Sequence, residues 1–91
     1  MIKDGDTTYT VRIYAKERSD GTWEGWLQFH PSDKSKPVLR TGEETAQPSV
    51  VAIRYWAYGL EPIYVEGALA RAQGRLLHRF ERFDLIHGLR R

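Results

Sequence analysis

Ninety-one residues with a net charge of +2, 41% of them hydrophobic and 29% charged, suffice for one packed domain and leave no room for a second core. The absence of cysteine excludes disulfide staples, thiolate nucleophiles and cysteine zinc sites, and a reducing compartment, the cytoplasm, is the expected location. Met1 to Asp6 is polar and acidic and no run of about 18 apolar residues occurs, so neither a secretory leader nor a membrane span is expected.

Thr7 to Lys16 alternates, with Tyr9, Val11, Ile13 and Ala15 on one side and Thr8, Thr10, Arg12, Tyr14 and Lys16 on the other. That is the period of a half-buried strand. Ser19-Asp20-Gly21 supplies turn residues. Thr22 to His30 then alternates again, setting Trp23, Leu27 and Phe29 against Glu24, Trp26, Gln28 and His30. A polar loop bracketed by Pro31 and Pro37 leads to Val38–Thr41, short but apolar enough to complete a three-stranded antiparallel meander over 7–41.

The pattern changes at Thr41-Gly-Glu-Glu-Thr-Ala-Gln-Pro48. Thr45 is expected to cap a helix that tolerates Pro48 in its first turn. This helix, 45–59, is apolar nearly all round, Ser49 and Arg54 being its plainly polar residues from Ser49 to Tyr58, and a helix of that kind needs cover on more than one side. Gly59 is a natural left-handed stop, and Pro62 can open a second helix at its first position. Beyond it Val65, Leu69, Ala72, Leu76, Phe80 and Phe83 recur at three- and four-residue spacing, with Arg71, Arg75, Arg79 and Arg82 largely on other faces.

An unbroken helix from Pro62 to His87 would span roughly 39 Å at a rise of about 1.5 Å per residue. A domain of this size should have a radius of gyration of about 12 Å. The helix over 62–88 therefore either breaks, at Gly67 or Gly74, or packs its distal stripe against another chain. The whole chain, 1–91, is read as a single α+β domain of order β-β-β-α-α.

No Gly-rich phosphate loop or nucleophile elbow is present, and His30, His78 and His87 have no metal-type spacing, so neither a cofactor nor a metal site is expected. Glu43 and Glu44 could form an acid–base pair, but neighbouring carboxylates at a helix entrance are more simply a response to the helix dipole. The outward side of the sheet is more informative. Arg12, Tyr14, Lys16, Trp26, Gln28 and His30 interleave cations with rings, as a single-stranded nucleic-acid platform does. A half-buried second core layer, covered by the terminal helix or another subunit, would look the same.

Three strands followed by a helix, entered through Thr41-Gly42-Glu43-Glu44-Thr45-Ala46, resemble the HicB-like antitoxin domain over roughly Thr7 to Tyr58. That resemblance implies a small toxin ribonuclease as partner. The family's Gly-Tyr and Pro-Gly-Cys positions stand here as Thr22-Trp23 and Lys36-Pro37, and Pro62 to Arg91 is short for the helix-turn-helix that such antitoxins often add. Trp23-Glu-Gly-Trp26, Glu44-Thr-Ala-Gln-Pro48 and Gly59 to Arg71 also look like segments of a group of short bacterial proteins, a resemblance that supplies no site residues.

Two functions are expected on these grounds. The first is a non-enzymatic regulatory or adaptor module, self-associating, that presents Leu76, Phe80 and Phe83 to a protein partner. The second is a nucleic-acid-binding protein using Arg71, Arg75, Arg79 and Arg82, with Tyr14 and Trp26 as stacking positions. An enzyme using Glu43, Glu44 or His30 ranks third.

Overall fold

The computed structural model describes residues 1–74. They form an α+β fold, an antiparallel sheet followed by two helices. The strands are β1 (Ile2–Asp4), β2 (Thr7–Glu17), β3 (Trp23–Pro31), β4 (Leu39–Arg40) and β5 (Thr45–Gln47). Helix α1 is Val50–Tyr58, and α2 is helical from 62 through 74.

The sheet is built around the β2–β3 hairpin, whose register pairs Val11 with Phe29, Ile13 with Leu27 and Tyr14 with Trp26. Its turn closes when the Arg18 amide donates to the Thr22 carbonyl at 2.7 Å and the Thr22 amide donates to the Asp20 carboxylate at 2.9 Å. Gly21 supplies the positive φ of 86° that a three-residue hairpin loop needs at its end. The expected meander is present, with two strands added to it. β1 pairs with β2 through a two-residue turn in which Gly5 has φ 60°, as at the first position of a type II′ turn. β5 pairs with β3 on the same side as β4.

β4 and β5 are one interrupted edge strand. Gln28 faces Arg40 and Gly25 faces Thr45, so Trp26 and Leu27 on β3 stand opposite the four residues Thr41 to Glu44. The interruption is a bulge of two extra residues. It is closed by buried Thr41, whose amide donates to the Leu27 carbonyl at 3.0 Å and whose hydroxyl accepts the Leu27 amide at 3.1 Å.

The pairing of β5 corrects the expected start of the first helix. Thr45 lies in the sheet, and the cap is Ser49, whose hydroxyl accepts the Ala52 amide at 3.2 Å. Pro48 therefore precedes α1 instead of sitting in its first turn. A strand edge on β3 offered Thr45–Gln47 main-chain partners that a helical first turn would have lacked. Gly59 ends α1 with φ −86°, so the stop is not left-handed; its amide donates to the Tyr55 and Trp56 carbonyls instead. Pro62 opens α2 as expected, and the Val65 amide donates to the Glu61 carbonyl at 3.1 Å. The helix passes Gly67 without breaking; Gly74 is the last described residue.

Both helices lie on one side of the sheet. The core joins Tyr9, Leu27, Phe29 and Leu39 to Ala68, Leu69 and Ala72 of α2. The small side chains of Ala68 and Ala72 let α2 approach the sheet closely, and Tyr9 meets Phe29 edge-on at 6.3 Å. α1 contributes one buried side chain, Ile53, over Gly25. The sheet covers one side of this largely apolar helix, and on its other side Val51, Tyr55 and Tyr58 are exposed. No helix among the described residues is long and apolar enough to cross a membrane.

Candidate nucleic-acid interface

Because α1 and α2 share one side of the sheet, the other side has no helix of residues 1–74 over it. The two-residue period of β2 and β3 puts Thr10, Arg12, Tyr14 and Lys16 there beside Glu24, Trp26, Gln28 and His30. The β1 and β4 registers add Lys3, opposite Thr8, and Arg40, opposite Gln28.

Its centre is a layer of rings. Tyr14 and Trp26, directly across the hairpin, are stacked with centroids 6.0 Å apart and planes 16° from parallel. Tyr14 also stacks with His30 at 6.4 Å and 22°, and His30 Nε2 lies 3.0 Å from Gln28 Oε1. The Arg40 guanidinium sits over the Trp26 ring, 4.5 Å from its centroid, and its Nε donates to the Thr41 carbonyl. Trp26 Nε1 is buried and meets no acceptor among the described residues. Such a donor costs about 1–3 kcal/mol until it finds a partner.

Charge on this face is one-sided. Lys3, Arg12, Lys16 and Arg40 are exposed, and the single carboxylate among them, Glu24, has Arg18 3.9 Å away. The face can therefore offer stacking surfaces and cations together. The same ring pair also stabilises the hairpin, by about 0.2–1 kcal/mol for a cross-strand pair of this kind.

The other residues singled out in the sequence go elsewhere. Glu43 and Glu44, adjacent in the bulge, do not converge: Glu43 pairs with Arg18, whereas Glu44 accepts from the Tyr64 hydroxyl and from Arg71 Nη2, the latter at 2.5 Å. The guanidinium of Arg71 also lies over the Tyr64 ring at 5.4 Å. Its charge thus ties α2 to the bulge. Burial and, after it, the Glu44 carboxylate raise the Tyr64 hydroxyl above the usual tyrosine range. Leu76, Phe80, Phe83, Arg75, Arg79 and Arg82 lie outside the described residues. Among the described residues no cluster of three or more acidic or histidine side chains is placed to hold a metal ion.

Arg40 and Lys3 were missed from the sequence. The register of Val38–Thr41 could not be read from so short a run, and Ile2 alone did not announce β1. No protein-family model, curated protein or solved structure matches the chain.

Proposed function

We propose that this protein binds single-stranded nucleic acid on the open face of its sheet. The observation that carries the reading is the stacked Tyr14–Trp26 pair ringed by Arg12, Lys16 and Arg40. Aromatic faces take bases without needing their sequence, and the cations meet the phosphates that connect them.

Anisotropy of labelled single- and double-stranded oligonucleotides, titrated with the protein at low and physiological salt, tests it. Binding should prefer the single strand, weaken steeply with salt and fall when Tyr14 or Trp26 becomes alanine. No binding at low salt, or binding indifferent to both substitutions, rejects it. The adaptor reading, with Leu76, Phe80 and Phe83 against a protein partner, is a second proposal; the exposed apolar side of α1 is the observation that favours protein contact.

A further inference from the structure

We infer that the outer side of α1, together with the start of α2, is a docking surface for a second copy of this chain. Val51, Tyr55 and Tyr58 follow one another at i, i+4 and i+7, so they form one stripe along α1. They are 56%, 76% and 86% exposed, and Ile63 at the start of α2 is 76% exposed. The stripe lies opposite Ile53, which is 4% exposed and faces the sheet. It continues into an open depression of about 490 Å³ walled by Tyr55, Leu60, Glu61, Ile63 and Tyr64. Isolated exposed apolar side chains are ordinary on a protein surface, whereas a contiguous apolar patch marks a place where something binds.

The charges at its rim select the occupant. Arg54, one turn before Tyr58, is the one charged residue of α1, and Glu61 stands in the wall of the depression. Both are exposed, and neither forms an ion pair among the described residues. A two-fold axis through the stripe brings a patch onto its own copy, so each residue on one side meets the residue on the other. Arg54 of each copy then lies against Glu61 of the other, around a shared apolar centre of Tyr55, Tyr58 and Ile63. A surface that carries one cation and one carboxylate across an apolar stripe is complementary to itself. The sheet separates this surface from the outward residues of β2 and β3, so the assembly leaves that face of each copy out of the contact. The inference does not depend on what those faces bind.

Sedimentation equilibrium of the full chain from low to high micromolar concentration tests it. The native chain should dimerise. Arg54→Glu and Glu61→Arg should each weaken the dimer about tenfold or more, through like charges set together twice across the axis. The double variant should recover the native affinity. A mixture of the two single variants should form the mixed dimer in preference to either homodimer. Because both positions are exposed, circular dichroism should show native folding in every variant. A chain that stays monomeric throughout overturns the inference and leaves the stripe to residues 75–91 or to another protein. A dimer that ignores both the charge exchanges and Tyr55→Glu overturns it equally, since it would use another surface.

Discussion

The Thr41 hydroxyl accepts the Leu27 amide at 3.1 Å while the Thr41 amide donates to the Leu27 carbonyl at 3.0 Å. One buried side chain thereby closes the sheet where its edge strand is interrupted, and the same hydroxyl donates to the Gly42 carbonyl at 2.8 Å. Thr41→Val keeps the shape and removes the acceptor. With the Leu27 amide left buried and unpaired, the loss should be about 1–3 kcal/mol. Thr41→Ser, which keeps the hydroxyl, should lose clearly less. Urea denaturation compares the three, and equal midpoints for the valine variant and the native chain would show that another group satisfies Leu27.

Gly25 lies under α1, against Ile53 and Trp56. A methyl group there would stand 3.0 Å from Thr45 Cγ2, 3.1 Å from Ile53 Cδ1 and 3.4 Å from Trp56 Cζ3. Thr45 is β-branched and held in β5, so relief must come from α1. Gly25→Ala should destabilise by about 1–3 kcal/mol, as overpacking does. Combining it with Ile53→Val should cost less than the two changes summed, because both act on one contact. Strict additivity would place the strain elsewhere.

The strands and helices were legible in the sequence to different degrees, for physical reasons. β2 and β3 each bury one side, so alternation named the inward residues Tyr9, Leu27 and Phe29 and the outward Tyr14 and Trp26 directly. β1 has one apolar residue, Ile2, and its signal was the Gly5-Asp6 pair, a two-residue hairpin turn. β5 was hidden because Thr45 ahead of Pro48 satisfies the local rules for a helix start, while the strand edge that claims it is twenty residues away. Periodicity showed that α1 is apolar all round but carried no information on what covers it. The outward residues of β2 and β3 were readable, whereas Arg40 and Lys3 required registers that only pairing reveals.

Tyr64 makes stability at high pH depend on the bulge. Burial, then the hydrogen bond to Glu44 and its charge, raise the hydroxyl above its ordinary value of 10.0, with Arg71 opposing. The folded chain therefore holds this proton to higher pH than the unfolded chain. The resulting stabilisation is complete below the ordinary value and is lost as pH rises through the raised one. Tyr64→Phe should remove this component, giving a stability curve that changes less over that alkaline window than the native one. At neutral pH the variant should be weaker by the net worth of a hydrogen bond to a charged group, about 1.5–3 kcal/mol at most. An unchanged alkaline limb in the phenylalanine variant would assign the effect to another tyrosine.

The open face makes separable predictions for rings and cations. Stacking is worth about 1–3 kcal/mol per base, so Tyr14→Ala and Trp26→Ala should each weaken binding of a single strand by about 5- to 150-fold and leave the salt dependence in place. Arg12→Ala and Lys16→Ala should lower the slope of log affinity against log salt by about 0.7 each, the value for one phosphate contact on a single strand. Arg40 should behave differently from both. Its guanidinium lies over the Trp26 ring, 4.5 Å from the centroid, so it covers the surface on which a base would stack. Arg40→Ala should lower the salt slope as Arg12→Ala does yet lose less affinity, because the ring it uncovers gains what the lost phosphate contact forfeits. Arg71 should contribute little to the slope, its charge being held by Glu44 at 2.5 Å. If the slope instead collapses only when Arg75, Arg79 and Arg82 are replaced together, and the ring variants bind normally, the phosphates are met by the C-terminal segment and the sheet face is a structural ring layer.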